Sequence, residues 1–201
     1  PTDANLSDIN KAVLKRARWV VGNVNEAVDR MEHVLPREYV SGETYFYLGK
    51  RFVLKVSKEG ATEVSVKLQR GEIIIEGANH EKHSAQKLLN IWYRDHANKY
   101  FSKRICELSE QVTWLKDIPV FGVYNMKKQW GSCSRSGKIL LNPHLIKAPR
   151  ECIDYVIFHE ICHLLEQNHS PRFYRQLEKL MPNWKSVKAR LDGMAEMLLV
   201  S

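Results

Sequence analysis

His159-Glu160-Ile161-Cys162-His163, set in a long apolar run and followed six residues later by His169, decides how the rest of the chain is read. On a helix, residues four apart lie about 40° apart around the axis and roughly 6 Å along it, so His159 and His163 aim two imidazoles at one point. Such a point suits Zn²⁺, which accepts neutral imidazole nitrogen and, in catalytic sites, takes three protein ligands while leaving a fourth position to water. Glu160, beside the first of these histidines, is then the group that faces that water and moves its proton.

With eight histidines in 201 residues, the pentapeptide alone is also compatible with a buried helix whose histidines are hydrogen-bonded core residues. His169 and its surroundings favour the metal. Asn168-His169-Ser170-Pro171 reads as a turn followed by a helix start, with Ser170 as N-cap and Pro171 in the first helical position. A histidine pinned between two helices can close a three-histidine site. Imidazole also suits nickel and cobalt, so zinc is an expectation from chemistry and not from spacing alone.

Four stretches give the sequence a family likeness. His159-Glu-Ile-Cys-His163 with Leu164 to Ser170 and Phe173, Trp130-Gly-Ser-Cys-Ser134, Ile139-Leu-Leu-Asn142 and Asp154-Tyr-Val156 together resemble the YgjP-like metallopeptidase family; Trp92-Tyr-Arg94 with Ala97 is similar to its upstream helix. The chain departs from the family pattern at Gln129 and at Tyr174, where an arginine and a tryptophan are usual. The resemblance implies an α+β, zincin-like fold of small antiparallel or mixed sheets packed with helices, one zinc ion on His159, His163 and His169, and Glu160 as catalytic acid and base. It also places candidate substrate-binding residues at Trp130, Ser132, Leu140, Asn142 and Tyr174. Trp130 is open to a second role as packing anchor of its loop, and Tyr174, His144 and the Ser132 loop are candidates for stabilising an oxyanion.

The remaining elements follow from periodicity. Leu6 to Glu32 carries apolar residues at spacings of three and four and reads as a helix; Tyr39 to Gly77 alternates with period two and reads as antiparallel strands, with Gly49 and Gly71 among the turns. A helical stripe runs from about Lys82 to Trp114. Val120 to Tyr124 and Lys138 to Asn142 read as short strands around a polar loop at Lys127 to Gly137. Pro149 opens the metal helix, enclosed on nearly every side by Ile153, Val156, Ile157, Ile161, Leu164 and Leu165. A short amphipathic helix follows His169, and a terminal helix runs from Trp184 to Leu199. The expected division is an N-terminal helix plus antiparallel β region at 1–80 and a catalytic domain at 81–201.

Bulk properties narrow the function classes. No apolar run approaches the roughly 20 residues that span a bilayer, and the N-terminus lacks a signal-peptide pattern, so a soluble cytoplasmic protein is expected. Cys106, Cys133, Cys152 and Cys162 show no disulfide framework, which agrees with a reducing compartment; Cys133 reads as a packed residue or a thiol near the metal. The net charge of +8 is spread without a block of like charges and supports nucleic-acid binding only weakly. The reading is therefore a zinc-dependent peptidase acting on peptide or protein by a zinc-bound water with Glu160 as base. Its alternatives are a DNA-associated protease resembling the SprT-like group and a non-catalytic, zinc-stabilised interaction module.

Overall fold

The computed structural model describes residues 37–57, 64–77 and 82–199, with isolated positions before residue 37. The chain divides into two compact units, residues 1–36 and 37–201. The helix expected over 6–32 falls outside the described residues apart from those isolated positions, and everything below concerns the second unit.

Its first sheet holds β1 (Thr44–Tyr47), β2 (Lys50–Ser57), β3 (Ser65–Gln69) and β4 (Glu72–Glu76) in the order β1-β2-β4-β3. The expected all-antiparallel region is corrected here: β2 and β4 run parallel, with Leu54 opposite Ile73, while β1 with β2 and β3 with β4 are antiparallel. The cause lies in composition. Ile73 and Ile75 are completely buried, so β4 takes an interior position, and the polar β3 is left at the edge, where unpaired backbone is better tolerated beside charge. The β1–β2 turn is Leu48-Gly49, both with positive φ, which matches the twist of a two-residue hairpin.

α1 (Lys82–Ser109) buries Ala85, Leu89, Trp92, Ala97, Phe101, Ile105 and Leu108, and packs on β3 and β4 of this sheet as well as on the segments after residue 120. It stops short of the expected Trp114. The chain continues in tight turns from Ser109 to Leu115, which still bury Val112, so the apolar period outlives the helix. Tyr93 donates to the Phe46 carbonyl at 2.8 Å and ties α1 to β1.

The second sheet, β5 (Phe121–Val123), β6 (Gly131–Cys133) and β7 (Ile139–Leu141), has the order β5-β7-β6. β6 lies in the stretch read as a polar loop. Three residues, Gly-Ser-Cys, are too few and too small to show alternation, and it is their antiparallel pairing with β7 that makes them a strand. A 3-10 helix at Pro143–Lys147 leads into the metal helix α2 (Arg150–Leu165), followed by α3 (Pro171–Leu180) and α4 (Trp184–Leu199). α2 is buried along Cys152 to Phe158, apart from the half-buried Asp154, and along Glu160 to Cys162, but Leu164 and Leu165 at its end lie partly open, contrary to the enclosed reading.

Two contacts fix where α2 lies. Arg104 on α1 makes a two-pronged bond to Asp154, Nε to Oδ1 at 2.6 Å and Nη2 to Oδ2 at 2.8 Å, a geometry that constrains direction as well as distance. At the start of the helix, the tip of the β1–β2 hairpin hydrogen-bonds to the 3-10 helix, Leu48 N–H to the Ile146 carbonyl at 2.8 Å and Gly49 N–H to that of Lys147 at 3.2 Å. A Cβ at Gly49 would stand 2.8 Å from Pro149 Cα, so the approach requires glycine. The architecture is α+β, with small mixed sheets packed against helices. No described helix is long and apolar enough to cross a membrane.

Candidate metal centre

One turn of α2 and the turn after it bring three imidazoles together. His159 and His163 stand on α2, four residues apart; His169 sits in the turn before α3. The Ser170 side chain caps α3, accepting from the Phe173 N–H at 3.3 Å, with Pro171 at the first helical position as the sequence predicts. One ring nitrogen from each histidine lies within 4.8 Å of the others, and the Nε2 atoms of His159 and His169 are 3.0 Å apart.

The His163 Nδ1–H donates to the Glu166 carbonyl at 3.0 Å, which turns Nε2 toward the other two rings as the atom free to ligate. It is thus the backbone of Glu166, not its carboxylate, that orients this ligand. Burial first, then the neighbouring His163 and His169, lowers the His159 pKa to about 3; burial and His163 lower that of His169 as well. Three imidazoles without thiolate or carboxylate form a donor set that fits a borderline dication such as Zn²⁺.

Phe173 belongs to the family pattern in the sequence, but sequence reasoning gave it no role at the site. It is fully buried, and its ring centroid lies 4.9, 4.6 and 4.8 Å from those of His159, His163 and His169. One aromatic ring therefore packs against all three ligands and limits their rotation. Its signal in the sequence was its position, four residues past His169 and three past the cap.

Glu160 is 4 % exposed, and its Oε2 has no hydrogen-bond partner among the described residues. Burial alone pushes its carboxyl up to about 8. A dication among the imidazoles acts in the opposite sense and favours the carboxylate. The β6 backbone presses on this side chain: a Cβ at Gly131 would be 2.7 Å from Glu160 Oε1, 2.9 Å from Cγ and 3.0 Å from Cδ. Only glycine admits that approach.

The other sequence candidates are dispersed. Ser132 pairs with Leu140 across β6 and β7, on the opposite face of the pleat from Gly131, so neither side chain points toward Glu160. Asn142 is fully buried and committed: its amide donates to the Met126 and Gln129 carbonyls at 2.7 and 3.0 Å and accepts from the His144 N–H at 3.1 Å. It holds the Trp130 loop instead of facing solvent. Tyr174 stacks between His169, 6.1 Å away, and Trp184, 5.2 Å away. Trp130 lines a cavity of about 220 Å³ beside Glu160. His144 lies on the 3-10 helix, its ring pKa lowered to about 3 by burial and Lys147, and it does not line that cavity. The Cys133 thiol, pushed up to about 11 by burial and the nearby Glu160, stays protonated and outside the histidine cluster.

A helix carrying two imidazoles, a third from the following turn and a buried carboxyl beside them define a metal-dependent hydrolase of the metallopeptidase class. The chain belongs to the family described as YgjP-like, metallopeptidase domain, which matches residues 1–194. No curated protein sequence matches it. Among solved structures it is similar to the metallopeptidase zymogen abylysin of Pyrococcus abyssi, with 24 % identity, 46 % of this chain and 93 % of that chain covered, and a TM-score of 0.41. The zymogen jannalysin of Methanocaldococcus jannaschii matches with 17 % identity, the same two coverages and a TM-score of 0.41.

Proposed function

We propose that the protein is a zinc-dependent peptidase that hydrolyses amide bonds of peptide or protein substrates, with His159, His163 and His169 holding one ion and Glu160 as general base and then general acid. The observation that carries this reading is the convergence of three imidazoles next to a buried carboxyl whose Oε2 has no partner among the described residues. When bound, the ion supplies Lewis-acid polarisation of a carbonyl and a water whose pKa is lowered to about 7.

The chain's own groups do the rest. Glu160 accepts a proton from the attacking water and passes it to the amine nitrogen as the carbon–nitrogen bond breaks. Phe173 and the Glu166 carbonyl hold the imidazoles against rotation, so that little reorganisation is left for the reaction itself. β6 is an edge strand, its outer side unpaired among the described residues, and an extended peptide can add to it by main-chain hydrogen bonds. The closeness of Gly131 to Glu160 would bring the backbone of such a peptide to the reacting groups.

The test is Glu160→Gln. The variant should retain the parent's metal content, while cleavage of a mixed peptide library falls about a hundred- to ten-thousand-fold. A variant that cleaves as well as the parent overturns the role of Glu160, and loss of metal in it would mean that the carboxyl is a ligand.

A further inference from the structure

At the opposite edge of the second sheet from β6, α1 and the chain leaving β5 enclose a cavity of about 390 Å³. Gln86, Asn90 and Arg94 recur every four residues and form one row along α1; Lys87 and Ile91 stand beside them, and Asn125, two residues past β5, completes the lining. The Arg94 Nη2 donates to the Val123 carbonyl at 3.1 Å, which sets the plane of the guanidinium and leaves its other N–H groups for a ligand. Cations in two other cavities are answered from within the walls. Lys188 pairs with Asp192 beside Glu160, and Lys103 and Arg104 meet Glu107 and Asp154 further along α1. Here two cations line the cavity, and no carboxylate among the described residues does.

Resting on the peptidase reading, we propose that this cavity is an exosite that binds an acidic side chain of a protein substrate, away from the scissile bond. Lys87 supplies charge, Arg94 a planar fork that matches a carboxylate, and the three amides supply donors and acceptors for the main chain beside it. Ile91, 49 % exposed, offers an aliphatic surface to the stem of a glutamate. A nucleic acid is matched less well: single strands bind through aromatic rings that stack on bases, and no aromatic ring among the described residues lines the cavity. What makes the partner a substrate is the loop that leaves this cavity. It starts at Asn125, and Gln129 and Trp130 at its other end line the cavity beside Glu160. The Asn142 amide holds the Met126 and Gln129 carbonyls and so fixes the loop between the two cavities. From Asn125 to Gln129 the chain reaches no further than about 14 Å, a span that a similar length of extended substrate covers.

The experiment uses the zinc-loaded protein and two readouts. Two labelled peptides of one sequence, with glutamates at alternate positions or with glutamines there, are titrated by fluorescence polarisation on a Glu160→Gln background, so that they stay whole; a labelled single-stranded oligonucleotide is titrated alongside. A mixed peptide library on the parent is profiled for residues on both sides of each cut. The glutamate peptide should bind about ten-fold more tightly than its glutamine counterpart, the lower end of what charge-assisted hydrogen bonds give, and cut peptides should be enriched in acidic residues about four or more positions from the bond. Lys87→Glu and Arg94→Gln should each bring the binding ratio close to one and remove the enrichment. Lys99→Glu, exposed on the same helix outside the cavity, should leave both near their parent values. A parent ratio near one, a ratio unchanged in both cavity variants, or one that Lys99→Glu lowers as much overturns the site. An oligonucleotide that binds more tightly than the glutamate peptide and loses that affinity in Lys87→Glu assigns the cavity to phosphate and overturns the carboxylate. Cut peptides without acidic enrichment overturn its part in choosing substrates. A library left uncut while the binding ratio behaves as expected upholds the acid-binding cavity and overturns the peptidase reading instead.

Discussion

Gly131→Ala is the sharpest probe of how β6 and Glu160 fit together. The added methyl would lie 2.7 Å from Glu160 Oε1, where ordinary contact begins near 3.4 Å, so strand or carboxyl must give way by about 0.7 Å. Glu160 has little freedom to do so, being 4 % exposed and enclosed by α2. Overpacking of this kind costs roughly 1–3 kcal/mol of stability. A misplacement approaching 1 Å in a group that must meet a proton costs about a hundred-fold in turnover. The three atoms nearest to this methyl all belong to Glu160, so metal content should be unchanged. Steady-state cleavage of a library-derived peptide, metal analysis and a thermal melt read the three quantities separately. Parent-like turnover and an unchanged melt would show that the strand does not press on the carboxyl, and the account of how substrate backbone reaches Glu160 would go with it.

Other expectations are as direct. Phe173→Leu should fold but lose about ten- to a hundred-fold in zinc affinity, measured by competition with a chelator, because the ring that packs on all three ligands is gone; parent-like affinity would remove Phe173 from the site. Asp154→Ala should cost about 3–5 kcal/mol in a denaturant melt, since it leaves the half-buried Arg104 guanidinium without the partner it grips with two bonds, although Glu107 retains a third; a loss well under this would mean that solvent replaces the pair. Lys147 donates to the Leu198 carbonyl at 3.0 Å under the Tyr93 ring, and burial with the Arg37 charge lowers its pKa to about 7. Between that value and a lysine's ordinary 10.5 the unfolded chain holds the extra proton, so this residue makes stability rise with pH across that window. Lys147→Met should flatten the rise, and an equal slope in both proteins would contradict the burial argument.

How much of this was legible in the sequence depends on range. His159, His163 and His169 could be placed together because a four-residue helical spacing and a capped turn are local geometry, and the Ser170 cap forms as its residue type predicts. β6 could not be seen, since three small residues gain their strand character only from β7. The parallel pairing of β2 with β4 depends on which strand is apolar enough for the interior, a comparison between segments and not a property of either. Ser132 and Leu140 are candidates from the family resemblance, but the period of two turns both away from Glu160 once Gly131 faces it. Asn142 shows the same limit: a polar residue at a strand end reads as available, whereas three backbone groups claim it. Lys188, Leu191 and Asp192 reach the cavity beside Glu160 only through the packing of α4, which no local pattern announces.

The hairpin tip at Leu48-Gly49 abuts Pro149, the residue from which α2 departs, about 15 Å along the helix from His159. A chain trimmed to residues 81–201 would keep every ligand and the general base while surrendering the buttress that sets the helix's starting point. Such a fragment would test whether reactive groups alone suffice, or whether a remote turn with no chemistry of its own keeps them in register.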